Sequence, residues 1–321
     1  ERLTLARFHL VLDLTEAVPG SPVPPRHHMR PALFAALTLL PAQLWGQQPE
    51  QFSKPLRTIE SIPAPESVAI GPDKAWYVTS FGKFDTKGDG AVFRVDPETG
   101  KPERYVTGLD DPCGLVFMGD TVWVADRQGV YRSVGPGRAQ LEYPAESFPR
   151  PLHFLNDLAV GRNGALYVSD TGDSTAAGHG AVFRLQTGKR PTVVPGSDTV
   201  RAQSSVNGLF PGGGDTLYTV GYRTGVLSVT DGKGRWKDLA RGLGSPDGID
   251  AAGSAALYIS DNVGGDLFLV QRAGSGKPVK LASALESPAD LIVDHARGLL
   301  VIPENSGHRL SVYRLTQHAG H

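Results

Sequence analysis

Short apolar runs recur along the chain at a regular spacing. Six of them have a polar or small residue near their start and recur about every 40–50 residues. Their sequences are PESVAI, PCGLVF, LNDLAV, VNGLFP, PDGIDA and PADLIV. A second run follows in each unit: AWYVTS, TVWVAD, ALYVSD, TLYTVG, ALYISD and GLLVIP. A third set includes AVFRVD, GVYRSV and AVFRLQ. Runs of Val, Leu and aromatic residues bounded by Gly, Asp and Pro predict β-strands joined by tight turns.

A repeat of this length with several strands per unit is typical of a β-propeller. A weaker fourth strand follows in five units, for example ERYVTG from Glu103 and KDLARG from Lys237. The sixth unit ends soon after Leu315 without room for one, whereas PLRTIES, starting at Pro55, precedes the first unit. We therefore predict an all-β, six-bladed β-propeller with four-stranded blades, in which this N-terminal strand completes the last blade and closes the ring.

Composition agrees with a turn-rich globule. The chain has 39 Gly, 25 Pro, 20% charged residues and a formal net charge of -1. Because no basic excess is present, nucleic acid is not an expected partner. Residues 55–316 are long enough for one large propeller, and residues 317–321 are expected to be a tail. We expect a small-molecule substrate. We also expect the protein to be a monomer.

The N-terminal region differs in kind from the repeats. Met29 and Arg30 precede PALFAALTLLPAQLWGQQ, a short apolar stretch with the layout of a secretory signal peptide. We expect residues 1–28 to be an upstream extension without a role in the fold, 29–46 a signal peptide and 47–54 a linker. The protein is then secreted or periplasmic, with no membrane association after signal removal. An ordinary apolar helix is the alternative, and the single Cys113 fits either compartment.

In a propeller, one position near the start of each unit is expected to face the axis. It is occupied in turn by Glu66, Cys113, Asn156, Asn207, Asp247 and Ala289. Two carboxylates and two amide carbonyls are hard oxygen donors of the kind that bind Ca²⁺, and no cluster of cysteines and histidines accompanies them to favour a softer metal. The alternative is that these Asn and Asp residues only cap turns at the start of inner strands.

The order of these six residues resembles a known family. LNDLAVGRNGALYVSD from Leu155, VNGLFPGGGDTLYTV from Val206 and SPDGIDAAGSAALYISD from Ser245 are similar to motifs of the calcium-dependent propellers that include regucalcin, gluconolactonases and related lactonases. Paraoxonase and diisopropyl fluorophosphatase are more distant. The resemblance covers roughly residues 60–315.

The resemblance implies a function and a site. Glu66, Asn156, Asn207 and Asp247 match the residues that hold one divalent cation, expected to be Ca²⁺, at the centre of the channel. The implied activity is lactonase-like hydrolysis of a lactone or related ester. Asp247 matches a catalytic base or nucleophile, but a cation lowers the pKa of a coordinated carboxylate, so Glu66 or Asp290 is the alternative. Asp157 is expected to orient the ligands.

Three departures weaken any transfer of substrate. Phe154 stands where sugar-lactone enzymes of the family commonly carry an Arg. The segment ESVAI lacks the Gly-Pro and Trp that follow the acid in many relatives. Cys113 replaces a His that paraoxonases use, and a buried Cys is most often a packing residue.

Binding residues are expected on the loops that surround the channel mouth. The longest connections between second and third strands are residues 81–90 and 171–180. The candidates for substrate binding are Phe154, Cys113, Tyr222, Arg223, Asn262 and His308. Asp126, Asp170 and Asp261 end second strands, where turn capping is the simpler interpretation. The alternative function is a non-catalytic binding or scaffold propeller with a structural calcium.

Overall fold

The computed structural model describes residues 52–162, 164–172, 180–199 and 205–315. These residues form six sheets arranged as a six-bladed propeller, which confirms the predicted fold. The expected extension 1–28, the signal peptide 29–46, most of the linker 47–54 and the tail 317–321 lie outside the described residues. Within the described ranges no helix is long and apolar enough to cross a membrane.

The first strands of the six blades contact one another around the axis, and later strands lie further out. Strand β1 (Arg57–Ile59) belongs to the last blade. Blade 1 contains β2 (Pro65–Ile70), β3 (Trp76–Ser80), β4 (Gly90–Val95) and β5 (Pro102–Leu109). Blade 2 contains β6 (Leu115–Met118), β7 (Thr121–Asp126), β8 (Gly129–Ser133) and β10 (Gln140–Pro144), while the short β9 (Gly137–Arg138) pairs in parallel with β5.

The remaining blades repeat this arrangement. Blade 3 contains β11 (Leu155–Val160), β12 (Leu166–Asp170), β13 (Ala181–Leu185) and β14 (Thr192–Val193). Blade 4 contains β15 (Val206–Pro211), β16 (Leu217–Gly221), β17 (Val226–Thr230) and β18 (Trp236–Arg241). Blade 5 contains β19 (Pro246–Ala252), β20 (Ala256–Asp261), β21 (Asp266–Gln271) and β22 (Val279–Ala282). Blade 6 contains β23 (Ile292–Asp294), β24 (Leu299–Glu304) and β25 (Arg309–Arg314), and a 3-10 turn spans Ala145–Ser147.

Strand β1 closes the ring, as the sequence predicts. It pairs antiparallel with β25, with Arg57 opposite Val312 and Ile59 opposite Leu310. Phe52, within the segment expected to be a linker, packs with ring centroids 6.1 Å from Tyr258 and 5.7 Å from Tyr313. The start and end of the described chain are therefore held in one blade.

Apolar cores lie between neighbouring blades. Trp76, Val78 and Phe93 of blade 1 pack with Val301 and Leu310 of blade 6. Each blade is covered on both faces by its neighbours, so its middle strands are buried on both sides. This explains why runs such as WYVTS and LYVSD are buried at every position instead of alternating between buried and exposed.

Acidic residues at the ends of second strands cap turns, which was the simpler interpretation. The Asp126 carboxylate accepts the backbone N–H groups of Asp110 and Asp111 at 2.9 Å each. Asp170 accepts those of His153 and Phe154. Asp261 and Glu304 do the same in their blades, towards Ser245 and Glu286. These side chains stabilise the loops around the channel mouth.

Closure by β1 predicts a position-specific loss of stability. Ile59 is buried in the core between blades 6 and 1, whereas its neighbour Thr58 is exposed. Ile59→Ala should lower the free energy of unfolding by about 2–4 kcal/mol, because it leaves a cavity at the closure. Thr58→Ala, on the same strand, should cost less than about 1 kcal/mol. Denaturant unfolding of both variants checks this, and equal, small losses would contradict a structural role for the closing strand.

Candidate functional site

The four predicted oxygen ligands occupy the same local structure in four blades. Glu66, Asn156, Asn207 and Asp247 are each the second residue of an inner strand: β2, β11, β15 and β19. In each strand the pairing register shifts between the first and fourth residues. Such a bulge bends the strand and changes the direction of its side chains. All four side chains line one cavity at the channel.

Hydroxyl groups on the second strands hold these bulges in place. In three blades the N–H of the residue after the predicted ligand donates to such a hydroxyl. The pairs are Ser67 with Thr79, Asp157 with Ser169 and Gly248 with Ser260, at 2.9, 2.9 and 2.8 Å. The Thr79 hydroxyl donates to the carbonyl of Cys113, and that of Ser260 to the carbonyl of Ala289. The hydroxyls of Thr79 and Ser260 therefore also link their blades to the next one.

Two glycines allow the inner strands to approach closely. A Cβ on Gly208 would lie 2.1 Å from the carbonyl oxygen of Asp247, and one on Gly248 would lie 2.6 Å from the Cα of Asp290. Neither distance is compatible with a side chain. The Asn-Gly and Asp-Gly pairs of the sequence thus combine a ligand-type residue with the small residue that the strand packing requires.

Three of the four predicted ligands carry a buried oxygen without a hydrogen-bond partner. These atoms are Glu66 Oε2, Asn207 Oδ1 and Asp247 Oδ1. Buried acceptors are almost always paired, so three at one place need an explanation. Hard oxygen donors of this kind suit Ca²⁺. Among the described residues no group of three or more His, Cys, Asp or Glu forms a metal site, so a cation here would need both amides together with both carboxylates.

The carboxylates are difficult to ionise without a cation. Burial, reinforced by the nearby charge of Asp290, raises the pKa of Asp247 to about 8. Burial and then the charge of Asp247 raise the pKa of Glu66 well above its usual value. A hydrogen bond with the Asn207 side chain partly opposes the rise at Asp247. The pocket therefore favours either protons or a positive ion at these oxygens.

The cavity above these oxygens has a volume of ≈ 650 Å³ and opens at the channel mouth. Of the predicted substrate-binding residues, it is lined by Phe154, Tyr222, Arg223 and Asn262. Tyr222 donates its hydroxyl hydrogen to Asn262 Oδ1 at 3.0 Å. Residues from blades 3, 4 and 5 thus meet around one cavity.

Cys113 and His308 do not line the cavity as described. Cys113 is buried, its Sγ donates to the carbonyl of Asp111 at 3.6 Å, and burial followed by the charge of Glu66 raises the pKa of its thiol. This favours packing over nucleophilic chemistry. His308 Nδ1 accepts the backbone N–H of Ala64 at 2.9 Å, which ties its loop to the start of blade 1.

The alternative acid Asp290 also stands apart from this cavity. It lines a smaller one, of ≈ 300 Å³, formed by the later residues of the inner strands, and the Ser67 hydroxyl donates to it at 2.7 Å. Asp157 accepts the N–H groups of Leu158 and Leu209, both at 2.6 Å. Asp157 therefore joins β11 to β15 next to Asn156, and its expected role in orienting a ligand stays a prediction.

Sequence reasoning did not single out Phe84, His153, Thr171 and Gly172, which also line the cavity. Phe84 lies inside the long loop 81–90, for which only the loop as a whole was predicted to bind. His153 and Thr171 lie beside Phe154 and Asp170, whose positions the repeat does mark. Most of the second long loop lies outside the described residues.

Solved structures with the same fold have diverse roles. A gluconolactonase from Xanthomonas campestris is 19% identical, with a TM-score of 0.61, covering 81% of this chain and 89% of that one. Virginiamycin B lyase from Staphylococcus aureus is 14% identical, with a TM-score of 0.57, covering 78% and 80%. A nidogen/laminin complex contains a chain that is 18% identical, with a TM-score of 0.54, covering 68% and 79%. At these identities the likeness concerns the fold alone.

Sequence comparison is more specific. No curated protein matches the chain significantly. The sequence profile described as the SMP-30/Gluconolactonase/LRE-like region matches residues 84–274, which is more than half of the 321 residues. This span includes three of the four bulged inner strands and most of the mouth. The chain therefore belongs to the SMP-30/gluconolactonase/LRE-like family.

Proposed function

We propose that this protein is a calcium-dependent hydrolase of a lactone or related ester. The observation that carries the proposal is the set of three buried, unpartnered oxygens of Glu66, Asn207 and Asp247 beneath an open cavity. Together with Asn156 they offer two negative charges and two neutral donors to one divalent cation, with water or substrate completing its coordination. Membership of the family supports this assignment.

A bound Ca²⁺ supplies an electrophile that polarises the substrate carbonyl and stabilises the negative charge that develops on its oxygen. The protein's own contribution is proton transfer. Water forms a bond to the carbonyl carbon while a carboxylate oxygen of Asp247 accepts its proton. The ring C–O bond then breaks, and Asp247 returns the proton to the departing alkoxide. Glu66, which lines the same cavity, is the alternative proton acceptor.

Two other functions fit the same fold. One is ring opening by elimination, without water, and the other is a non-catalytic binding role with a structural calcium. The mass of the product distinguishes hydrolysis from elimination, because hydrolysis adds one water to the substrate and elimination adds nothing. Absence of any turnover, with calcium still bound, would favour the binding role.

Calcium should stabilise the protein in a pH-dependent manner. The pKa values of Asp247 and Asp290, about 8 and about 7 without metal, lie above those of the unfolded chain. The folded protein without metal therefore binds more protons, and its stability falls as pH rises from about 4 through about 8. A cation removes this penalty at Asp247. The calcium-induced rise in Tm should thus be small near pH 5 and about 5 °C or more near pH 8.

Calorimetry in calcium and in chelator measures this, with Asp247→Asn as the diagnostic variant. It should lose the calcium response and, in chelator at pH 8, melt no lower than the unchanged protein, because a buried charge has been removed. An undiminished calcium response in Asp247→Asn would exclude Asp247 from the site. A Tm gain that is equal at both pH values would contradict the role of buried carboxylates.

Activity should depend on the same carboxylate. For any lactone that the protein hydrolyses, Asp247→Asn should lower kcat/KM by at least about 100-fold, because the substitution affects both cation binding and proton transfer. Asp120→Asn, an equivalent change at an exposed turn, is the matched control and should retain activity. Titration of the acid released from a lactone panel gives the rates. Comparable rates for the two variants would remove Asp247 from the mechanism.

A further inference from the structure

Among the described residues, aromatic and polar side chains line different parts of the channel mouth, with His153 and Thr171 next to the aromatic part. Phe81, Phe84 and Phe154, from blades 1 and 3, line the cavity on one side, with ring centroids 5.6 Å apart for the first two and 6.4 Å apart for the last two. We call these three residues the aromatic arc. Tyr222, Arg223, Asn262 and Asn305, from blades 4 to 6, line the other side.

Phe84 in the aromatic arc is exposed, yet its loop is anchored. Its side chain is among the large exposed apolar groups, and the residue is 54% exposed. The Arg127 guanidinium lies 5.2 Å from its ring centroid and is itself paired with Asp85 and Asp111. An aromatic ring that is held in place at a cavity mouth is preorganised to pack against an apolar group of a ligand, because little conformational entropy is lost when the ligand binds.

Polar groups on the opposite side are largely engaged within the protein. Tyr222 donates to Asn262 Oδ1, and the Asn262 amide donates to the carbonyl of Pro288 at 3.4 Å. The Asn305 amide donates to the carbonyl of Pro65, also at 3.4 Å. A substrate covered in hydroxyl groups would have to compete with these bonds and would meet three phenyl rings on its other side. Such a site would bind it poorly.

The geometry points to a substrate whose lactone or ester group carries an apolar alkyl or aryl substituent packed against the aromatic arc. This inference rests on the proposed function and names its substrate class. The carbonyl end lies over the oxygens of Glu66, Asn207 and Asp247, and the apolar end lies at Phe81, Phe84 and Phe154. The aromatic arc is thus a specificity determinant, and a polyhydroxylated sugar lactone is the substrate that it disfavours.

A homologous series of substrates tests the inference. In calcium, kcat/KM should rise about threefold per methylene from γ-butyrolactone to γ-octalactone, because each methylene leaves water for an apolar surface. D-glucono-δ-lactone should be hydrolysed more slowly than γ-octalactone. In parallel, calorimetry should show that cyclopentanones with lengthening 2-alkyl chains, which cannot be hydrolysed, bind with the same dependence on chain length.

Variants locate the effect. Phe84→Ala and Phe154→Ala should each reduce the ratio of kcat/KM for γ-octalactone over γ-butyrolactone by about tenfold, and should weaken binding of the longest cyclopentanone. Val134→Ala is the matched control, because Val134 is 73% exposed and does not line the cavity. Its ratio should equal that of the unchanged protein. The ratio is insensitive to any general loss of folded protein.

The outcomes separate this inference from the proposed function. Lactone hydrolysis that does not depend on chain length, or faster hydrolysis of the sugar lactone, overturns the inferred apolar substituent. The proposed hydrolase function is then unaffected. No hydrolysis, with chain-length-dependent binding of cyclopentanones that Phe84→Ala weakens, overturns the hydrolase and supports the aromatic arc. Absence of both hydrolysis and binding overturns the two together.

Discussion

The site depends on one backbone feature, the β-bulge at the start of four inner strands. A regular strand would alternate its side chains between the two faces of the blade, where apolar neighbours pack. The bulge adds a residue at the axial end, so that Glu66, Asn156, Asn207 and Asp247 line the channel instead. In three of these strands, a hydroxyl of the adjacent strand accepts a hydrogen bond from a backbone N–H that has no backbone partner at the bulge.

The side chains that these bulges direct into the channel destabilise the fold locally, and interactions elsewhere in the ring must compensate for this. Three buried oxygens lack partners, and burial raises the pKa of the carboxylates. The cost is tolerated because apolar cores between the blades, turn caps and the closing strand hold the inner strands in place. Such a site gains most from an ion that satisfies its oxygens together, which joins the proposed metal to the stability of the fold.

Much of the architecture could be predicted because each blade repeats the same local signals. The repeat located the inner strands, and the missing fourth strand of the last unit identified residues 55–61 as the closure, which β1 confirms. The same phase selected six axial positions, and all of them except Cys113 line the cavity. Cys113 and His308 behave differently from the other substrate-binding candidates, since one is packed within blade 2 and the other bonds Ala64. Position in the repeat alone therefore does not decide whether a particular side chain faces the cavity.

By itself, the sequence determined the number of blades and the way the ring closes, because these follow from local strand signals and their period. Only the tertiary structure decided which oxygens lack partners and which rings share the mouth. Phe84 meets Phe154, 70 positions away in the chain, because closing the ring brings the loops of blades 1 and 3 over the same cavity. Contacts between distant blades have no local signature, so they appear only once the chain is folded.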